Sequence, residues 1–127
     1  MIDDMGIFRT TLEIAHMGQS GERRSLPDVM VDTGSEYNWV PRNVLEELGI
    51  TAERVDRFET ADGRVLEREV GFARLYAGGR SAIAAVVFAE PNDLVLLGAH
   101  GLDGLNLRVD LGRKELVPAG PVPAAAA

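Results

Sequence analysis

The chain has 127 residues, 46% of them hydrophobic and 6% aromatic, enough apolar material for the core of one compact domain. Thirteen basic against twenty acidic residues give a net charge of -7, which repels a nucleic-acid backbone, and Arg23-Arg24 and Arg113-Lys114 are too short to make an opposing patch. The lack of cysteine excludes a disulfide framework and a thiolate metal site; the acidic start Met1-Ile2-Asp3-Asp4 is unlike a signal peptide, and no apolar run is long enough to span a bilayer, so a cytoplasmic protein free of membrane is expected.

In chain order, residues 7–15 read as a strand, because Phe8, Thr10, Leu12 and Ile14 alternate with Arg9, Thr11 and Glu13. Gly18-Gln19-Ser20-Gly21-Glu22 turns the chain into a second strand ending in Val29-Met30-Val31, an apolar run expected to be covered on both faces. That strand delivers Asp32 straight out of the core. Pro41 stands where a first helical residue would, Val44, Leu45 and Leu48 make an apolar stripe and Gly49 is a stop, so 41–48 is expected to be a short helix. Asp62-Gly63 marks a hairpin turn between a strand over 55–60 and a long strand from Val65 to Ala77, and this hairpin could project from the body. Gly78-Gly79 leads to a strand over 81–89, and Glu90-Pro91-Asn92-Asp93 turns into an apolar strand over 94–97. A brief helix over 102–105, a strand over 107–110 and a last strand through Leu116 complete a domain over 1–118, with a flexible Pro/Ala-rich tail over 119–127.

The chemistry concentrates at Asp32-Thr33-Gly34-Ser35. A carboxylate directly after a buried strand is costly unless hydrogen bonds, water or a paired group compensate it. A threonine hydroxyl and the close backbone approach that glycine permits can hold such a carboxylate rigidly. Two carboxylates brought together do not both ionise readily, so one keeps its proton; aspartic proteases are the standard instance of this coupling. The ionised member can then take a proton from water while the protonated one polarises a scissile carbonyl. The chain has a single Asp-Thr-Gly, so this mechanism requires a second copy and a two-fold dimer.

The run Val31-Asp32-Thr33-Gly34-Ser35-Glu36-Tyr37-Asn38-Trp39-Val40-Pro41 resembles the catalytic strand and turn of pepsin-like enzymes. With one lobe, a hairpin and the later Leu96-Leu97-Gly98, the chain as a whole resembles the retropepsin-like aspartic proteases from about Ile7 to Pro118. The resemblance implies an all-β fold, a closed, barrel-like lobe with one or two short helices, acting as a homodimeric aspartic endopeptidase on peptide or protein substrates, with no metal or other cofactor. It makes Asp32 the acid or base, Thr33 a brace across the two-fold axis and Gly34 a close backbone contact. It gives Ser35 a bond to the carboxylate or nearby backbone, Glu36 a role in holding substrate main chain, and Asp62 and Gly63 the tip of a closing flap. Two positions depart from the retroviral pattern: Ala99-His100 stand where arginine and asparagine are usual, so the support of the active-site loop must come from elsewhere or be weaker, and the proline-bearing end from Pro118 is ill suited to an interleaved strand.

Simpler readings compete at several positions. Trp39 is expected to pack in the core rather than to serve substrate, Asp62-Gly63 suffice as turn residues, Asp110 as a turn cap, and His16 and His100 as packed or solvated side chains rather than metal ligands. The rival function is a peptide-binding or scaffold domain that keeps the cleft and hydrolyses nothing.

Overall fold

The computed structural model describes residues 8–18 and 22–126. Met1 to Ile7, and Gln19, Ser20 and Gly21 of the expected first turn, therefore lie outside the described residues.

The strands are β1 (Phe8–Ala15), β2 (Arg23–Val31), β3 (Asn38–Pro41), β4 (Arg54–Glu59), β5 (Val65–Ala77), β6 (Arg80–Ala89), β7 (Leu96–Leu97), β8 (Leu107–Asp110) and β9 (Glu115–Pro118), with helices α1 (Arg42–Glu47) and α2 (Ala99–Leu105). The main sheet runs β1-β2-β7-β3-β6-β5-β4, and β1 also pairs with β5. Those extra bonds close β1, β2, β7, β3, β6 and β5 into a ring of strands, leaving β4 outside it. The fold is thus mostly β, as the alternating apolar pattern implies.

β5 makes this closure possible by its length. One edge pairs with β6 from Val70 to Ala77, while the other takes β4 over Val65 to Val70 and then β1 over Arg74 to Tyr76. Residues Val65 to Glu69 have only β4 beside them, so the β4–β5 hairpin extends beyond the ring. Gly71 sits at the junction, where a Cβ would come within 2.9 Å of the Thr51 carbonyl as the chain crosses towards β4.

The ring interior is filled by Leu12, Ile14, Leu75, Val86 and Leu97, with Val40, Leu45 and Leu105 completing it, all fully buried. β1 shows why alternation reads correctly: Leu12 and Ile14 enter the core while Arg9 and Thr11 are exposed. An extra residue on β2 opposite Thr10 to Leu12 falls at Pro27-Asp28, where proline lacks a donor and Asp28 takes a positive φ of 58°.

Several expected boundaries shift. Pro41 is the last residue of β3 and the N-cap of α1, not its first helical residue. The strand β3 itself was not expected; its pairing is a parallel register with β6, Asn38 to Pro41 against Val86 to Ala89, which involves residues remote in sequence. Val29 and Val31 are buried but Met30 between them is only half-buried, so the end of β2 is not covered on both faces. The apolar strand expected over 94–97 shortens to Leu96–Leu97, because Leu94 is 63% exposed. α2 begins earlier than expected, at Ala99, and stops at Asn106, which adopts the left-handed conformation at φ 54°.

β8 and β9 form a separate hairpin packed against the β5–β6 turn, where a Cβ on Gly78 would press to 2.9 Å from Leu107. Beyond Pro118, Ala119 donates its N–H to the Asn106 carbonyl at 2.9 Å, and residues 119–126 contain neither helix nor strand. No helix among the described residues is long and apolar enough to cross a membrane.

Candidate active site

Asp32 is the first residue after β2, at the point where β7 threads between β2 and β3. β7 runs parallel to β2, Val31 opposite Leu97, and antiparallel to β3, Trp39 opposite Leu96. The loop that joins β2 to β3 therefore has to pass around the end of β7, and the chain leaving β7 crosses it at close range. The Asp32 N–H donates to the Leu97 carbonyl at 3.0 Å, the Ala99 N–H to the Ser35 carbonyl at 2.7 Å and the His100 N–H to the Glu36 carbonyl at 3.0 Å. Gly98 makes the crossing possible: a Cβ there would lie 2.6 Å from the Ser35 carbonyl and closer still to that of Tyr37.

Asn38 locks the crossing from below. It is fully buried, accepts the Gly98 N–H at Oδ1 (2.8 Å) and donates from Nδ2 to the Ala85 carbonyl on β6 (3.0 Å). Gly101 on α2 is small enough to admit it, since a Cβ there would collide with the Asn38 amide and stand 2.5 Å from Leu97. These bonds are the support that Ala99-His100 left unassigned: main-chain amides of residues 98–100 brace the loop, and the His100 ring lies beside that of Tyr37, centroids 5.6 Å apart.

The Asp32 side chain is half-buried, and its Oδ1 accepts the Gly34 N–H at 2.9 Å. Thr33 and Gly34 are exposed at the turn. Ser35 is directed to the backbone and not to the carboxylate, its hydroxyl donating to the Tyr37 carbonyl at 3.1 Å. Glu36 is 81% exposed, with His100 Nε2 3.9 Å from its carboxylate.

An open cleft of about 1030 Å³ runs from this loop to the β4–β5 hairpin. Asp32, Gly34, Ser35 and Glu36 line one side; Phe58, Thr60, Ala61 and Arg64 of the hairpin line the other, with Leu94 and Leu96 between. The hairpin tip is a three-residue loop, Ala61 to Gly63, closed by the Thr60 N–H to the Arg64 carbonyl (2.8 Å), with Gly63 at φ 86°. Asp62 and Gly63 stand at that tip and do not themselves line the cleft. The Asp62 carboxyl is held below the usual carboxylate range by a hydrogen bond from the Thr60 hydroxyl and by Arg64, 3.2 Å away.

Three cleft residues were not singled out from the sequence as site residues. Tyr37 and Phe58 approach edge-on at 5.5 Å, Phe58 and Trp39 at 5.1 Å, and all three line the cleft together with Asp56. Trp39 is half-buried, so it packs as expected and also presents surface to the cleft. The far wall is fixed by Arg68, which grips Asp93 through two bonds of 2.7 and 2.9 Å. Arg68 thereby depresses the Asp93 carboxyl pKa, against the opposing effect of burial.

Chemically, the described residues offer one half-buried aspartate free of arginine, Asp32, at the mouth of a peptide-sized cleft, with the exposed Glu36 and Glu59 farther out on its walls. Asp56 and Asp93 also line it, but each is committed to an arginine, Arg54 at 3.0 Å and Arg68 at 2.7 Å. Among the described residues no group of three or more His, Asp or Glu is placed to hold a metal ion.

Comparison with known proteins agrees with this geometry. Residues 19–100 match the family model described as aspartyl protease, a span that holds both the Asp32 turn and the β7 crossing. Among solved structures, the chain resembles the simian foamy virus (mac) protease, with a TM-score of 0.51 and 21% identity over 75% of this chain and 91% of that one. No curated protein matches. The chain belongs to the aspartyl protease family and carries its retropepsin-like fold.

Proposed function

We propose that the protein is an aspartic endopeptidase that works as a homodimer, with water activated between the Asp32 carboxylates of two chains. The observation that carries this reading is the position of Asp32. Its Oδ1 is bonded by the Gly34 amide at 2.9 Å, while the half-buried carboxylate opens into the cleft; the other two aspartates that line it, Asp56 and Asp93, are engaged by arginines. A lone carboxylate can accept a proton from water but cannot also donate one to the carbonyl, so a second acid has to be supplied. A copy of the same turn across a two-fold axis supplies it.

In this arrangement the ionised Asp32 takes the water proton, and the protonated one donates to the carbonyl oxygen as the tetrahedral intermediate forms. The proton then passes to the leaving amine as the C–N bond breaks. Gly34 brings main chain close to the carboxylate, and Thr33 braces the partner turn, a role its exposure at the turn permits. Glu36 offers an accessible acceptor for substrate main-chain amides, with Ser35 fixing the loop beneath it. The hairpin bearing Asp62 and Gly63 closes over a bound peptide and excludes water.

The test is Asp32→Asn, which removes the proton acceptor and keeps the shape. Folding and self-association are expected to persist while cleavage of a peptide library disappears. Undiminished cleavage would refute the assignment, and a strict monomer that cleaves would refute the dyad. A monomer inert towards every peptide, yet binding them, would favour the scaffold reading.

A further inference from the structure

The hairpin is not simply poised over the cleft; one side chain of the Asp32 loop ties it down. Tyr37 donates its hydroxyl to Asp56 Oδ2 on β4 at 3.3 Å and accepts from Arg54 Nη2 at 3.1 Å. Arg54 in turn binds the same carboxylate through Nε, at 3.2 Å to Oδ1 and 3.0 Å to Oδ2. The three polar groups close a triangle. Beneath it, Phe58, two residues along the same face of β4, is edge-on to both Tyr37 and Trp39. On its other side the Tyr37 ring meets His100 at 5.6 Å, and the loop below is bonded to residues 98–100.

We infer that Tyr37 is a positioning residue that latches the β4–β5 hairpin to the Asp32 loop and sets how readily the cleft opens to a peptide. β4 is the outermost strand of the sheet, held on one edge only by β5, and the part of β5 from Val65 to Glu69 has no other strand beside it. Lifting that hairpin from the loop breaks the Tyr37–Asp56 and Arg54–Tyr37 bonds and parts Phe58 from two rings. The latch is thus the direct tie between the loop and β4, while Arg68–Asp93 and Arg42–Glu69 hold the base of the hairpin to the body, so that opening pivots about the β5 side.

The inference rests on the protease reading only for its consequence in turnover. The latch itself has a readout without substrate, because Trp39 is the single tryptophan of the chain and lies against Phe58 at the seam. Acrylamide quenching of its emission reports opening. Tyr37→Phe deletes the hydroxyl, and with it both bonds across the seam, and keeps the ring; the open population is expected to rise at least about fivefold and quenching with it. Asp56→Ala, which breaks the triangle from the other side, is expected to do the same, and Tyr37→Phe added to Asp56→Ala to add little. Asp56→Asn, which still offers an oxygen to the Tyr37 hydroxyl, is expected to retain most of the wild-type protection.

In turnover the change should fall on KM, with kcat within about twofold, since Asp32 and the amide bonded to it are untouched. Increased quenching in a protein that cleaves nothing would leave the latch standing and sink the protease reading. Quenching unchanged in both Tyr37→Phe and Asp56→Ala, or a collapse of kcat with quenching unchanged, would overturn the latch.

Discussion

Replacing Asn38 by alanine tests whether the crossing of two chain segments beneath Asp32 is held by one buried amide. The wild-type side chain satisfies the Gly98 N–H and the Ala85 carbonyl, and it has no exposure to water. Alanine takes the partner from the buried Gly98 N–H and from the half-buried Ala85 carbonyl. Each such group costs about 1–3 kcal/mol, so the expected loss is about 2–6 kcal/mol, a large part of the total for a domain of this size. With a urea m-value of about 1–3 kcal/mol per molar, the midpoint falls by about 0.7 M or more. The assay is urea unfolding at one fixed chain concentration, since association would add its own term. A shift below about 0.3 M at unchanged m would refute the reasoning, because it would mean that the crossing does not depend on these two bonds. Asn38→Asp sharpens the test. It keeps an acceptor for Gly98 but faces the Ala85 carbonyl with a second oxygen, so burial favours the protonated carboxyl and raises its folded pKa. The stability that this variant keeps in acid is therefore lost as the pH rises above about 3.9, the unfolded value, and through the raised folded one.

Two further outcomes follow from neighbouring contacts. Gly98→Ala forces a Cβ against the Ser35 and Tyr37 carbonyls, both main chain, and is expected to destabilise by about 2 kcal/mol or more and to displace the Asp32 loop, read by thermal unfolding and by loss of any peptide cleavage. Asp93 has its pKa depressed chiefly by Arg68, so its contribution is fully present above the unfolded value of 3.8 and is lost as the pH falls below that towards the folded value. Asp93→Asn should accordingly cost about 2 kcal/mol at neutral pH, and the difference from wild type should shrink near pH 2.5; an equal difference at both pH values would contradict the ion pair as its source.

The parts of this architecture that were legible in the sequence are those set by neighbouring residues. Alternation along Phe8 to Ile14, the Asp62-Gly63 and Gly78-Gly79 turns and the left-handed glycines they need are local decisions, and the observed elements follow them. Asp32 stood out for the same reason, as a carboxylate placed directly after an apolar strand. What could not be read is the threading of β7 between β2 and β3, since it depends on residues about sixty positions apart choosing each other. β3 escaped notice because four residues ending in proline look like the approach to a helix, and its strand character comes from the parallel pairing with β6. Asn38 is one polar residue in a polar turn until the fold buries it. The latch had a faint signal: period two on β4 puts Arg54, Asp56 and Phe58 on one face, but only the tertiary structure shows that the Tyr37 ring is what they meet.

The departures from the retroviral pattern also acquire a physical account. Where the retroviral pattern has an arginine after the second glycine to support the loop, here main-chain amides of Gly98, Ala99 and His100 brace it together with Asn38. At the other end, β9 pairs with β8 of its own chain.

The central claim, that catalysis needs two Asp32 carboxylates, is tested most directly by mixing chains. Wild-type and Asp32→Asn protein are unfolded together in equal amounts, refolded, and assayed for peptide cleavage at fixed total chain. Random pairing leaves about one quarter of the dimers with both carboxylates, so activity should fall to about one quarter of that of the wild type alone. A fall to only about one half would mean that each chain works by itself, and the two-carboxylate account would be wrong.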